Sequence, residues 1–246
     1  MPIYNGQRYL QQSLQSLYDQ TLQSWELIVV LDPRCIDGSR NILESAKDAR
    51  IRIEDAPTSG IVAALNHGLR LCRADFVARL DADDICEPTR LAAQCAYLRE
   101  RPHIAAVGSS AILIDADGRV VGRREVVSGC TRVARRLLWR DALIHPSVTF
   151  RREVVMSIGG YSLACRSAED YELWLRIAGA MDVDNLDVPL LRYRLHPHTP
   201  HVFRLREVPF RTLAASRLQA AKRAGVSPLG ALARQLVWCM AQARRV

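Results

Sequence analysis

Lysine is nearly missing from this chain: of its 34 basic residues only Lys47 and Lys222 are lysines, and the rest are arginine. Arginine suits planar, bidentate contact with phosphates and carboxylates. The net charge of +8 admits phosphorylated substrates, an anionic membrane surface or nucleic acid, and chooses none of them. Long apolar runs are missing too. None approaches the roughly 18 residues of a membrane span, and residues 1–9 lack the basic stretch and apolar core of a secretory leader. The seven cysteines (35, 72, 86, 95, 130, 165 and 239) are scattered, odd in number and form no C-x-x-C pair. A disulfide framework and a structural zinc site are therefore disfavoured, and a reducing cytoplasm is the simplest setting. No G-x-G-x-x-G follows a strand, against a dinucleotide-dependent oxidoreductase. No recognisable nucleic-acid module or aromatic-basic platform is found. Internal repeats and low-complexity tracts are also absent.

What is there suits a soluble globular enzyme. The 246 residues, 49% hydrophobic and 24% charged, can form one large domain, or a domain plus an appendage, with an ample core. In the first half, short apolar runs alternate with helical patterns. Gly6–Gln20 carries Leu10, Leu14 and Leu17 on one stripe, and Glu26–Leu31 reads as a buried strand. Helices are expected over 38–49, 59–72 and 88–101, and strands over 51–54, 76–80 and 104–114. Strands separated by helices of this length mean βαβ units and a mostly parallel sheet. The second half is less regular. Strands are expected at 120–127, 147–151 and 190–195, and helices at 131–140 and 169–178. From Arg204 onward the pattern is helical and basic; its last segment sets Leu229, Leu232, Leu236 and Met240 on one stripe beside Arg234, Arg244 and Arg245.

In open parallel sheets ligands bind beyond the carboxyl ends of the strands. Two such ends are acidic: Asp32 follows ELIVVL, and Asp81-Ala82-Asp83-Asp84 follows FVARL. Three aspartates in four residues repel one another and raise each other's pKa values. A divalent cation relieves this, and oxygen ligands select a hard ion such as Mg²⁺ or Mn²⁺, which also binds substrate phosphates. A solvated turn capping the following helix would use the same residues. The placement of the cluster, paired with Asp32 after another buried strand, favours a site.

The runs PIYNGQRYLQQSLQSLYDQT (2–21), ELIVVLD (26–32), DGS (37–39), ALNHGL (64–69), ARLDADDICEPTRL (78–91), HPSVTFRR (145–152), GGY (159–161), AEDYELWLRIA (168–178) and LLRYRLH (190–196) resemble the family 2 glycosyltransferases of the GT-A fold. The resemblance covers residues 2–197 in motif order and spacing. It implies a Rossmann-like α/β domain and an inverting transfer of a sugar from a nucleotide-diphosphate donor, UDP-linked by expectation, to a saccharide or lipid-linked acceptor. It also implies a role in cell-surface polysaccharide or glycolipid synthesis. By motif position Tyr4 and Asn5 would line the nucleotide pocket, Asp32 would contact the base, and Asp81 would lie near the ribose. Asp83, with Asp81, would hold Mg²⁺ or Mn²⁺, and His196 is a candidate third ligand. Asp84 falls behind them. Asp170 matches the general base, although Glu169 and Asp170 also suit the start of a helix, where acids are favoured. Asn66 matches a donor-side position, while His145 and Glu169 match the acceptor side; packing explains His145 and Asn66 equally well.

Two departures qualify the match. No residues remain for the apolar strand that precedes the P-x-Y-N turn in the family, so the first strand is expected to be missing. The run 31–37 is one residue longer than the family's and is stiffened by Pro33, which leaves the base open. The expected division is a GT-A domain at 1–200, with a nucleotide-sugar half at 1–115 and an acceptor half at 116–200. A basic helical extension follows at 201–246, offering peripheral contact with the inner face of the cell membrane. The alternative is a truncated, inactive relative that binds nucleotide sugar or a partner without turnover.

Overall fold

The computed structural model describes residues 1–165, 168–196, 210–227, 229–230 and 233. Strand β1 (Pro2–Ile3) leads through Gly6 into helix α1 (Gln7–Tyr18), then β2 (Leu27–Leu31), α2 (Ser39–Ser45), β3 (Ile51–Asp55) and α3 (Ile61–Leu71). Next come β4 (Phe76–Ala78), β5 (Ile85–Cys86), α4 (Arg90–Glu100), β6 (Ile104–Ile114), β7 (Val120–Arg124) and α5 (Cys130–Leu137). The chain continues through β8 (Thr149–Arg151), α6 (Arg152–Ser157), α7 (Glu169–Ala180), β9 (Asp182–Arg194) and α8 (Phe210–Arg223).

The α/β reading holds, but of the first-half strands only β1, β2 and β3 form a parallel sheet; β4 and β6 lie in a second, mixed one, and β4 pairs antiparallel. Strands β1, β2 and β3 form a parallel three-stranded sheet, with all five residues of β2 buried as its apolar run predicts. The first strand expected to be missing is present as two residues: Pro2 and Ile3 pair with Val30 and Leu31. The other sheet, ordered β4-β8-β6-β9-β5 with β7 added at β6, is mixed: only β6–β9 is parallel. An apolar run signals burial but carries no strand direction, so this reversal was invisible in the residues.

The largest core cluster surrounds Trp174, with Phe150, Leu137, Leu138, Leu143, Leu173, Leu175 and Ile177 fully or almost fully buried. Helix α8 joins it through Leu213, Ala220 and Ala221. Ser216 Oγ donates to Glu172 Oε1 at 2.8 Å, and Arg217 Nη2 donates to the Tyr171 hydroxyl at 2.6 Å. A second cluster packs α1 on β2 through Leu10, Leu14, Leu17, Leu27, Val29 and Leu31, so the predicted α1 stripe faces the sheet. Between β2 and β4 lies a partly open cavity of about 520 Å³ whose lining includes Leu27, Ile28, Val30, Phe76, Val77 and Phe150. The Met1 ammonium donates to Ile28 O at 2.9 Å beside it. Burial, then the charge of Arg79, lowers this amine's pKa to about 5.

Among the described residues no helix is long and apolar enough to cross a membrane. Cys35, Cys72, Cys86, Cys95, Cys130 and Cys165 are free thiols. The tail positions Leu232, Arg234, Leu236, Met240, Arg244 and Arg245 lie outside the described residues.

Candidate active site

The turn after β4 is fixed by its carbonyls. Buried Arg90 donates to Arg79 O at 2.7 Å, Ser13 Oγ to Asp81 O at 3.2 Å, and Arg194 Nε to Asp83 O at 2.8 Å. Three side chains from α4, α1 and β9 thus hold the backbone, and the carboxylates of Asp81, Asp83 and Asp84 gather within 4.8 Å of one another. His196, just beyond β9, brings Nε2 to 2.6 Å from Asp83 Oδ2. Asp84 is 1% exposed; its Oδ1 accepts the Arg194 N–H at 2.8 Å, and its Oδ2 is buried with no hydrogen-bond partner. Burial, reinforced by the charges of Asp81 and Asp83, raises its pKa well above the carboxylate range. Clustered hard oxygens, an orphaned buried carboxylate oxygen and an adjoining imidazole fit a hard divalent cation.

Arg194 organises this corner. Its guanidinium also reaches Asp115 O at 2.9 Å and Gln12 Oε1 at 2.8 Å, and lies 4.2 Å from the centre of the Tyr9 ring. Tyr9 in turn packs on His196 with ring centres 5.7 Å apart.

The cluster opens on a cleft of about 680 Å³ lined by Tyr4, Asn5, Tyr9, Asp32, Arg34, Gly60, Asp81, Asp83 and His196. The predicted donor-side residues Tyr4, Asn5, Asp32, Asp81 and Asp83 thus share one cavity. Asp32 is 6% exposed and saturated: it accepts the Arg34 backbone N–H at 2.9 Å, the Arg34 guanidinium at 2.9 and 3.0 Å, and the Gly60 N–H at 2.7 Å. The Arg34 side chain, above all, holds this carboxyl far below its usual range. The Arg34 guanidinium also sits 5.0 Å from the Tyr4 ring centre. Asn5 has a φ of 54°, a left-handed conformation that asparagine tolerates, and its Oδ1 accepts the Ile36 N–H at 3.0 Å.

Asn66 does not line this cleft. Its amide exchanges two 2.8 Å bonds with the backbone of Tyr161, pinning α3 to the Gly159-Gly160 turn. Gly160 has φ +69°, and a Cβ there would meet Asn66 Oδ1 at 2.5 Å, so the close approach needs glycine. His145 is packed rather than free: its Nε2 lies 3.0 Å from the Tyr161 hydroxyl and its ring 5.8 Å from that of Trp174. Burial, then Arg79, keeps its pKa well below 6.5, so the ring is neutral.

The second acidic segment opens α7. Tyr171 N donates to Asp170 Oδ1 at 2.7 Å. Burial raises the pKa of Asp170; burial and then the charge of Asp170 raise that of Glu169 to about 7. Two residues outside the predicted set matter here. Arg79, 6% exposed, pairs with Asp81 and also acts electrostatically on Glu169, Asp170 and Tyr161, so it couples the two acidic segments. Asp141, after α5, is pushed up to about 8 by burial and by the charge of Asp170. Arg79 matches a family position in the sequence, where strand structure explains it equally well, and Asp141 carried no motif signal.

Comparison with known proteins agrees with this geometry. The profile of Glycosyl transferase family 2 matches residues 1–170. The chain is 28% identical over 201 residues to the O-antigen biosynthesis glycosyltransferase WbnJ of Escherichia coli, covering 80% of this chain and 78% of the relative. It is 30% identical to the amylovoran biosynthesis glycosyltransferase AmsE of Erwinia amylovora, with coverages of 78% and 73%. A third relative, at 27% and with coverages of 78% and 70%, is an Escherichia coli UDP-Gal:alpha-D-GlcNAc-diphosphoundecaprenol beta-1,3-galactosyltransferase. Among solved structures, S. aureus TarS 1-349 in complex with UDP-GlcNAc superposes with a TM-score of 0.75 at 17% identity, covering 96% of this chain and 69% of that one. The Pyrobaculum calidifontis mannosyltransferase PcManGT in complex with GDP-Man and Mn2+ gives 0.62 at 19%, with coverages of 99% and 73%. The acidic strand ends, the fold and the profile therefore converge: this chain belongs to the family 2 glycosyltransferases and shares their GT-A fold.

Proposed function

We propose that this glycosyltransferase moves a sugar, with inversion and dependence on a divalent metal, from a nucleotide-diphosphate donor to an acceptor hydroxyl in cell-surface polysaccharide or glycolipid synthesis. The observation that carries the reading is the cleft shared by Tyr4, Asn5, Asp32, Asp81, Asp83 and His196, where the carboxylates of Asp81, Asp83 and Asp84 lie within 4.8 Å of one another. The names of the relatives, among them one for O-antigen and one for a UDP-Gal donor with a lipid-diphosphate acceptor, support a UDP-sugar and a saccharide or lipid-linked acceptor.

Asp81, Asp83 and His196 would hold Mg²⁺ or Mn²⁺, with Asp84 behind them. When bound, such an ion stabilises the charge of the departing nucleoside diphosphate. Tyr4, Asn5 and Asp32 orient the nucleoside in the cleft they line. An acceptor hydroxyl is a poor nucleophile at neutral pH, and Asp170 takes its proton from the opposite side of the sugar, a role worth roughly 10²–10⁴-fold. The raised pKa of Asp170 makes it a better proton acceptor than an ordinary surface aspartate. His145, neutral and held by Tyr161, together with Glu169, shapes the acceptor side. In this reading the protein works on the cytoplasmic side and meets the inner face of the membrane.

The test is release of nucleoside diphosphate from a panel of sugar nucleotides with Mn²⁺ and an acceptor. Turnover vanishes in Asp83→Ala and falls steeply in Asp170→Asn. Normal turnover in both variants sinks the assignment, and nucleotide binding without any transfer favours a binding module instead.

A further inference from the structure

Residues 119–140 hold arginines 119, 123, 124, 132, 135, 136 and 140 against one acid, Glu125: a net +6 out of the chain's +8. Arg119 is paired with Asp117, and Arg132 bonds Ser128 Oγ at 3.4 Å. Among the described residues the other five have no acid within ion-pair distance. On α5 the arrangement is sided. Val133 and Leu137 are fully buried in the core. At 3.6 residues per turn, Arg132, Arg135, Arg136, Trp139 and Arg140 share an arc of about 140° on the outward side. The helical turn continues to residue 140, since the N–H groups of Trp139 and Arg140 both donate to Arg136 O. Trp139 is 46% exposed, and on β7 Val120 and Val121 are 63% and 55% exposed beside Arg123 and Arg124. Arg136 has its pKa lowered by burial and by Arg140, so these two arginines repel one another. This patch borders the second acidic segment: at the end of α5 Leu137 O accepts the hydroxyl of Tyr171, the residue after Asp170, at 2.6 Å.

We propose that the outward face of α5, Arg132, Arg135, Arg136, Trp139 and Arg140, docks on an anionic lipid bilayer and holds the acceptor side of the cleft against it. The chemistry is that of an interfacial helix: guanidinium groups meet lipid phosphates, and an amphipathic indole sits at headgroup level. Nucleic acid fits less well, because the face carries one aromatic ring rather than a stacking platform. The proposal deepens the proposed transfer to a lipid-linked acceptor, and rests on it for its purpose. It also places the contact on α5 rather than on the basic tail.

The experiment is sedimentation of the full chain with phosphatidylcholine vesicles, with and without phosphatidylglycerol. Binding appears only with the anionic lipid and weakens as salt rises. R132E/R135E/R140E lowers the partition at least roughly 100-fold, since each cationic residue near the surface is worth about fivefold and each is reversed. Donor turnover with a water-soluble acceptor stays unchanged in that variant, which also reports that it folds. Brominated lipids quench tryptophan emission in the wild type and lose most of this effect in Trp139→Phe. Undiminished binding by the α5 variant overturns the proposal. So does loss of binding only in R234E/R244E/R245E, or binding to heparin but not to vesicles. Turnover without vesicle binding defeats the docking surface alone; vesicle binding without turnover defeats the transferase reading alone.

Discussion

His196 Nε2 lies 2.6 Å from Asp83 Oδ2, joining the end of β9 to the turn after β4 across 113 residues of sequence. A pairing of this kind can serve an ion or merely tie two segments together. If His196 shares the ion with Asp83, His196→Ala raises the Mn²⁺ concentration for half-maximal turnover at least about tenfold, while saturating Mn²⁺ restores most of kcat. Metal titration followed by nucleoside-diphosphate release measures this. An unchanged metal requirement with a lowered melting temperature assigns the histidine to the tie alone.

The acidic limb of the rate profile should belong to the Glu169–Asp170 pair. Both carboxyls are raised: Asp170 by burial, and Glu169, to about 7, by burial first and the charge of Asp170 second. A carboxyl with a raised pKa holds its proton at low pH and cannot accept one. So kcat/KM climbs as pH rises toward 7 and levels off above it. Glu169→Gln removes one of the two negative charges and moves the limb to lower pH. Asp170→Asn lowers kcat by roughly 10²–10⁴-fold at every pH. A limb that stays in place in Glu169→Gln argues that the two carboxyls titrate independently.

Much of this site was legible because chemistry sat at strand ends. Asp32 and Asp81–Asp84 follow apolar runs, and each run became a strand whose carboxyl end opens on the cleft. Strand β9 was only half legible. Its later residues Leu190 and Leu191 read as a strand, but the first half, DVDNLDV, is polar. There Asp184 is buried as the acceptor of the Gly129 N–H at 2.6 Å and the Tyr97 hydroxyl at 2.7 Å, and Asn185 donates to Val127 O and Ala142 O. Polar side chains spent on neighbouring backbone erase the hydrophobic period. Asp141 was hidden for another reason: it acts through Asp170, distant in sequence, and no spacing rule reaches that far.

Asp141 gives a stability prediction with a definite sign. Its carboxyl titrates near 3.8 when unfolded and is pushed up to about 8 in the fold by burial and then by Asp170. The folded protein therefore binds the proton more tightly, and the group's contribution to stability is lost as pH rises from about 4 toward 8. Asp141→Asn mimics the protonated form and keeps an oxygen for the Leu143 N–H, now accepted at 3.1 Å. The gain in melting temperature of Asp141→Asn over wild type should be small near pH 5 and grow toward pH 8. Thermal scans of both proteins across that range measure it; a gain that shrinks with pH refutes the assignment.

The cavity between β2 and β4 yields the last prediction. The lining of its about 520 Å³ includes apolar side chains of two strands that do not pair with each other, together with charged ones such as Glu26, Arg73 and Arg99, and the buried Met1 amine sits beside it, bonded to Ile28 O. Because Pro2 and Ile3 pair in parallel with Val30 and Leu31, backbone extended backward from Met1 runs alongside Ile28 and Leu27. A fused stretch of four valine or isoleucine residues before Met1 would fill the cavity and replace a buried amine with a ladder peptide. Burying even one or two such side chains is worth roughly 2–4 kcal/mol, and each kcal/mol moves the melting temperature of a chain this size by about 2–4 °C. The fused protein should therefore melt several degrees higher. A four-residue Gly-Ser fusion of the same length should not, because it adds backbone without apolar side chains. Equal melting temperatures for both fusions would show that the cavity does not accept a strand.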